Sequence, residues 1–281
     1  MSVDISTIFE RSMIKNTINL FNTSNNSTFF KDYFGKDVKK FVISSDKTLA
    51  VALSYSDSTI TIIDLMNLTK FEPTTNLIKP LDVLISNDNN YLYIICRNSN
   101  LLYKVSTSTS STTVTSIQLS LYPKKLVANS DFSKIYCAGY TNKIDVVNTS
   151  TFLISNTIKL SLDYFYYRIL DFKISNDNTK LIYSSKYNGL IELIDLATNT
   201  SSNIQLITLN PRINMKNFVF SSDSSTIYVI ALNLKNTVLY KLSTTGNVLS
   251  IVSAITFSSS RITDLLLSAD GNSLYLLDKI N

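Results

Sequence analysis

Residues 171–196, DFKISNDNTKLIYSSKYNGLIELIDL, contain the pattern that decides the fold. An apolar run, DFKIS, leads into a polar turn that contains Asp177, and a second run, LIYSS, follows it. After another polar turn comes a third run, LIELIDL. Short apolar runs between polar turns are typical of antiparallel β-strands. Asp and Ser can hydrogen-bond the backbone two residues on, which closes such a hairpin without glycine.

This unit of strand, Asp-containing turn and strand occurs six times along the chain. The turn aspartates are Asp46, Asp88, Asp131, Asp177, Asp223 and Asp270, with spacings of 42, 43, 46, 46 and 47 residues. Four-stranded propeller blades repeat at about 40–45 residues, whereas helical solenoids mostly have shorter repeats. The sparse Gly, Ala and Glu and the abundant Ile, Tyr, Phe and Thr also favour strands over helices. The sequence therefore predicts an all-β propeller.

The two ends of the chain complement each other. The sixth unit stops after its second strand, at SLYLLDKIN, whereas residues 12–34 align with the third and fourth strands of another unit. Pairing both ends in one blade would close the ring and remove exposed strand edges. We therefore predict a single closed propeller over residues 12–281, with six four-stranded blades. Residues 1–11 are then a short N-terminal arm, which either docks on a partner or is a frayed terminus.

The repeats resemble the YVTN-type propeller repeats, which are similar to WD40 repeats. The best matches are KIYCAGYTNKIDVVNTSTFLISNTIKL at 134–160 and LIYSSKYNGLIELIDLATNTSS at 181–202, and a weaker match covers 38–281. The usual Pro-Asp-Gly turn is missing, with Ala269-Asp270-Gly271 as the nearest equivalent, and no Trp or His provides the WD40 marks. The resemblance implies the architecture, and propellers host many unrelated functions.

The composition excludes several kinds of chemistry. Without histidine, a Ser-His-Asp or Cys-His catalytic set cannot form, and the commonest transition-metal ligand is absent. No Gly-rich phosphate loop, H-E-x-x-H or C-x-x-C motif occurs. Paired carboxylates remain possible catalysts. The six turn aspartates, one in each repeat, are however typical of turn formers, and one carboxylate per loop is too few for calcium. We expect no enzyme activity, no cofactor and no metal.

Other features of the sequence bear on where the protein acts. Cys96 and Cys137 lie in apolar runs, which predicts buried free thiols. The first residues lack the features of a secretory signal, and no apolar stretch approaches the 18 residues of a transmembrane helix. These features favour a protein of the cytoplasm or of an assembled particle. The oligomeric state stays open.

Basic residues recur in the loops that lead into the innermost strands. In a propeller these loops share one face with the loops between second and third strands, and the Asp turns lie on the other face. The predicted ligand-binding cations are Lys39, Lys79, Lys124, Lys125, Arg168, Arg212, Lys216 and Arg261. Lys40, Arg97, Lys186, Lys235 and Lys279 add to the same face. With a net charge of +5, the alternative is that lysines simply occupy solvated loops.

The segment LDYFYYRIL adds Phe165, Tyr166 and Tyr167 beside Arg168 on this face. Aromatic rings next to arginine suit stacking on sugars or bases and cation-π contacts. Packing between neighbouring blades is the alternative explanation.

Three classes of function follow. The first is a non-catalytic binding module whose basic face recognises an anionic partner: a glycan, a nucleic-acid backbone or an acidic protein surface. The second is a structural subunit of a larger assembly, particle or surface structure. The third, disfavoured by the missing histidine, is a lactonase-like propeller enzyme.

Overall fold

The computed structural model describes residues 9–11, 17–22, 27–33, 37–73, 75–97, 99–108, 113–120, 122–160, 169–185, 190–205, 214–232, 236–258 and 262–278. These residues form β-strands and turns, together with one short 3-10 turn at Thr245–Asn247. Nothing helical in these ranges has the length and apolar character that a membrane-spanning helix requires. The chain divides into two compact units, Met1–Leu126 and Val127–Asn281.

The first unit contains a three-stranded sheet and two four-stranded sheets among its described residues. All neighbouring strands in these three sheets pair antiparallel. The three-stranded sheet consists of β1 (Phe9–Arg11), β2 (Thr17–Asn22) and β3 (Ser27–Tyr33). The next sheet consists of β4 (Val38–Ile43), β5 (Leu49–Ser54), β6 (Thr59–Asp64) and β7 (Thr69–Phe71). The third consists of β8 (Pro80–Ile85), β9 (Tyr91–Cys96), β10 (Leu101–Ser106) and β11 (Val114–Gln118).

The second unit begins inside the strand β12 and continues the same pattern. Its first sheet consists of β12 (Pro123–Ala128), β13 (Lys134–Gly139), β14 (Lys143–Asn148) and β15 (Leu153–Lys159). The next four-stranded sheet consists of β16 (Ile169–Ile174), β17 (Lys180–Ser185), β18 (Leu190–Asp195) and β19 (Ser201–Gln205). Another consists of β20 (Asn214–Phe220), β21 (Thr226–Leu232), β22 (Asn236–Ser243) and β23 (Ser250–Ser258). A two-stranded sheet consists of β24 (Ile262–Leu267) and β25 (Leu274–Asp278).

The sheets reproduce the predicted repeat. Each predicted unit starts with an innermost strand (β4, β8, β12, β16, β20 or β24) and continues through its Asp turn into the next strand. The sixth unit consists of β24 and β25, as predicted, and β2 and β3 form the hairpin predicted within residues 12–34. β1 lies in the segment predicted to be an arm. The pairing of the two ends, and with it a ring of six blades, stays a prediction.

Apolar faces of successive sheets build the cores within each unit. In the first unit, buried Val51, Leu53, Ile60 and Ile62 pack in one cluster with Val83, Leu92 and Ile94 of the following sheet. In the second unit, buried Ile191 and Leu193 pack with Phe218 and Val229. The second strands β5, β9, β13 and β17 are buried over five consecutive residues, and the third strands β6, β14 and β18 over four. Such continuous burial means that both faces of these strands are covered.

The innermost strands share an irregularity that the sequence analysis did not predict. In five of them the register with the second strand shifts at the third or fourth residue of the strand. The residue after the shift, and its equivalent in β12, lies six positions before each turn aspartate. The series is Lys40, Asp82, Lys125, Asp171, Asn217 and Asp264. Basic or amide side chains thus alternate with carboxylates along the repeat.

These residues link neighbouring sheets within each unit. Lys40 Nζ lies 3.1 Å from Oδ1 of the buried Asp82, whose Oδ2 accepts a hydrogen bond from the Leu126 N–H at 2.9 Å. In the second unit the Asn217 amide donates to the Asp264 carboxylate. Asp82 and Asp264 also accept the N–H of the residue that follows them. The alternation therefore supplies a donor on one sheet and an acceptor on the next.

Candidate functional site

Each of the six turn aspartates accepts hydrogen bonds from residues of its own turn. In every turn the carboxylate accepts the backbone N–H of the residue two positions later, at 3.0–3.1 Å. This confirms the predicted turn chemistry. A serine hydroxyl two positions earlier donates to the carboxylate in five of the turns. For Asp46, Asp88, Asp223 and Asp270 the hydrogen bond from this hydroxyl is the main cause of a pKa below the ordinary value. The pKa of Asp223 is lowered to about 2.

The predicted cations fall into two groups. Lys39, Lys79, Lys124 and Lys125 lie in described residues, and all but the half-buried Lys125 are exposed. Lys79 precedes β8 directly, as predicted, but Lys39 lies within β4, and Lys124 and Lys125 lie within β12. The innermost strands begin earlier than the apolar pattern indicates, because their bulged first residues interrupt the alternation.

Most of the other predicted site residues lie outside the described residues: Phe165, Tyr166, Tyr167, Arg168, Arg212 and Arg261. Lys216 lies within β20, but its side chain is not described. Lys186, Lys235 and Lys279 are also outside the described residues. Their proposed role therefore remains a prediction.

In the first unit, three cations converge on one aromatic ring. The Nζ atoms of Lys39 and Lys79 lie 5.3 and 5.9 Å from the centroid of the Tyr55 ring, and the Arg97 Cζ lies 5.9 Å from it. The Arg97 guanidinium also donates a hydrogen bond to the Tyr55 hydroxyl. We call Lys39, Tyr55, Lys79 and Arg97 the Tyr55 cluster.

The repeat itself places these residues. Tyr55 and Arg97 directly follow the second strands β5 and β9 and are 42 residues apart, so they hold equivalent positions in adjacent sheets. Asp37 and Lys79 likewise hold equivalent positions before β4 and β8, both with a φ of 55–60°. In each sheet the later residue donates its N–H to the earlier carbonyl: Tyr55 to Asp37 at 3.1 Å and Arg97 to Lys79 at 2.8 Å.

A further contact fixes the cluster between the two sheets. The backbone N–H of Lys79 donates to the Ser58 hydroxyl, in the turn after Tyr55, at 3.1 Å. The backbone beneath the cations is therefore held from both sheets. A preorganised set of donors loses less conformational entropy when a ligand binds.

The cluster brings three cations close together around one aromatic ring. The Asp37 carboxylate lies 3.0 Å from the Lys39 Nζ. The ring attracts each cation through its quadrupole, by about 0.5–1 kcal/mol at an exposed site. A planar guanidinium beside two ammonium groups offers fork-like and point-charge donors to one anionic group. The arrangement is suited to bind an oxyanion or a carboxylate.

Tyr55 is absent from the residues predicted to bind a ligand. The sequence could have indicated Tyr55 by its position in the repeat. Tyr55 is the equivalent, one repeat earlier, of Arg97, which was predicted to lie on this face. The Tyr55 cluster also shows that loops leading into innermost strands and loops after second strands lie together, as predicted, in the β4–β7 and β8–β11 sheets.

In the described part of the chain, no group of three or more Cys, Asp or Glu side chains is arranged to hold a metal ion. Cys96 and Cys137 are buried and form no disulfide, as predicted. Burial raises the pKa of Cys96 to about 12, so this thiol is protonated and unreactive at neutral pH.

Comparisons with known proteins identify the fold alone. No family model matches the chain, and no curated protein matches its sequence. Among solved structures, Kluyveromyces lactis Hsv2 is similar with a TM-score of 0.71 and 13% identity, over 91% of this chain and 85% of that one. Kuenenia stuttgartiensis hydrazine synthase is similar with a TM-score of 0.67 and 16% identity, over 87% and 75%. The chain therefore has a β-propeller-like architecture, and its similarity to YVTN-type repeats stays a prediction.

Proposed function

We propose that this protein is a non-catalytic binding module that recognises an anionic partner through the Tyr55 cluster. The observation that carries the proposal is the convergence of Lys39, Lys79 and Arg97 on one ring. Cations concentrated in this way attract polyanions and speed their association. The class of partner is a chain of sulfate, phosphate or carboxylate groups, or an acidic protein surface.

Retention on a heparin column tests this proposal. The variant Lys79→Gln with Arg97→Gln removes two cations of the cluster and leaves Tyr55 in place. A control variant, Lys47→Gln with Lys134→Gln, removes two exposed lysines beside the Asp turns and therefore has the same net charge. The proposal predicts that the cluster variant elutes at clearly lower salt than the wild type, and that the control elutes close to the wild type.

An equal fall in elution salt for both variants would mean that retention follows net charge. A wild type that passes through the column at low salt would contradict the proposal. Both variants are compared by thermal denaturation first, so that unfolding is not mistaken for lost binding.

We further propose that the ring closes with six blades, in which β2 and β3 complete the blade that β24 and β25 begin. The exposed fractions of Leu266, Tyr275 and Leu277 on this two-stranded sheet are 68%, 63% and 62%. Large apolar side chains exposed together suggest a surface that another element covers. Removal of residues 1–36 is expected to lower Tm and promote aggregation, and an unchanged Tm would contradict closure by these strands.

A role as a structural subunit is the second candidate, because several apolar residues of the outer strand β23 are also exposed. Stable co-purification with other chains would favour it. Turnover of a panel of lactones and esters would instead revive the enzyme class.

A further inference from the structure

The outermost strand of the β20–β23 sheet differs from the other outermost strands. β23 has nine residues, and it pairs on one side with β22 and forms the edge of its sheet. The corresponding strands β7, β11, β15 and β19 have three to seven residues. An edge strand presents N–H and C=O groups that can pair with another strand.

The usual protection of an edge strand is weak here. No charged residue or proline occurs between Lys241 and Arg261. Within β23 every residue except Phe257 is exposed, and the exposed fractions of Ile251, Val252 and Ile255 are 47%, 57% and 55%. One protective feature is present, a β-bulge, because the register with β22 shifts so that Val252 is an extra residue in β23. From Ser253 onward the pairing with β22 is regular.

The order of side chains in this strand is symmetric. Around Ser253 the sequence reads Ser250-Ile-Val-Ser253-Ala-Ile-Thr256. In an antiparallel pair of two such strands centred on Ser253, Ile251 lies opposite Ile255 and Val252 opposite Ala254. Ser250 lies opposite Thr256, and Ser253 lies opposite its own copy. Every pair therefore matches apolar with apolar or polar with polar, as cross-strand pairs prefer.

We propose that β23 is a self-association edge, at which two copies of this chain join their sheets across a twofold axis at Ser253. A second copy fits better than an unrelated strand, because the symmetric order satisfies the requirement that an isologous interface be self-complementary. The absence of charge removes the like-charge repulsion that would arise when a strand meets its own copy. This proposal does not depend on the Tyr55 cluster.

Sedimentation equilibrium of the full chain tests self-association. The wild type is expected to form a dimer, and Ile255→Lys is expected to weaken it at least about tenfold, because each new lysine would lie against Ile251 of the other copy. The matched control is Ile154→Lys, which places the same charge on an exposed isoleucine of the outermost strand β15. This control is expected to leave the dimer unchanged. Thermal denaturation verifies that both variants are folded.

Cysteine cross-linking tests the register. Ser253→Cys is expected to form an intermolecular disulfide under mild oxidation, since the two sulfur-bearing residues face each other at the axis. Thr256→Cys is the control, because its two copies would be about 20 Å apart along the strands. The native Cys96 and Cys137 are buried and do not compete.

Three results would overturn the proposal. The first is a wild type that stays monomeric up to about 1 mM, where even weak dimers are detectable. The second is a dimer that Ile255→Lys and Ile154→Lys affect equally. The third is cross-linking of Thr256→Cys in preference to Ser253→Cys.

Discussion

The two ends of the strands use the same repeat in different ways. At the Asp-turn end, all six repeats make the same hydrogen bond from a backbone N–H to the turn carboxylate. At the other end, equivalent positions have different side chains: Asp37 and Lys79 before the innermost strands, Tyr55 and Arg97 after the second strands. A contact made in all six repeats maintains the fold, whereas a cluster found once among the described residues is a candidate site. The comparison therefore separates turn-forming residues from candidate functional ones.

The largest expected effect concerns the ion pair between Lys40 and Asp82. Asp82→Ala would leave Lys40 without its 3.1 Å partner and the Leu126 N–H without its acceptor. Because Asp82 is buried, we expect the free energy of unfolding to fall by about 3 kcal/mol, measured by urea denaturation. Lys40→Met is the comparison variant, because it keeps the hydrogen bond from the Leu126 N–H to Asp82. We expect it to lower the free energy of unfolding by less than Asp82→Ala does. Equal losses would show that the ion pair alone links the sheets.

The Asp-turn end is expected to respond to pH. Hydrogen bonds from Ser221 and Ser225 lower the pKa of Asp223 to about 2, below its ordinary value of 3.8. A lowered pKa in the folded state means that the ionised carboxylate stabilises the fold above about pH 4. This contribution is lost as the pH falls from about 4 to 2. The difference in Tm between the wild type and Asp223→Asn should therefore shrink over this range. A difference independent of pH would contradict the assignment.

The smallest effect concerns the residue after each turn aspartate. Lys47, Asn89, Phe132, Asn178, Ser224 and Gly271 all have φ between 60° and 74°. Glycine adopts this conformation without strain, so Lys47→Gly is expected to stabilise the fold by about 0.5 kcal/mol in urea denaturation. Lys47→Ala, which removes the same charge, is expected to give no gain. A gain in both variants would mean that charge, and not backbone conformation, limits this turn.

The sequence predicted the parts of the fold that depend on neighbouring residues. The Asp turns and the strands around them follow from contacts within five residues, such as Ser86 with Asp88 and Tyr91. The interruption of the sixth unit and the β2–β3 hairpin also follow from the order of strands.

Contacts between repeats could not be predicted from the sequence pattern. Lys40 and Asp82 are 42 residues apart, and both lie at register shifts, as the third residues of β4 and β8. Lys39 and Lys79 were predicted as ligand-binding residues, but their convergence on Tyr55 requires the packing of two sheets. The extent of β23 was also missed, because its alternation of polar and apolar residues is weak.

Anion binding by the Tyr55 cluster is tested most directly by measuring how the dissociation constant of a labelled sulfated oligosaccharide depends on salt. Each cation that contacts an anionic group contributes to the slope of log K against log salt concentration. We predict that Lys79→Gln with Arg97→Gln weakens binding and reduces this slope, whereas Lys47→Gln with Lys134→Gln preserves both. Identical slopes in the wild type and the two double variants would contradict the claim that the Tyr55 cluster is the binding site.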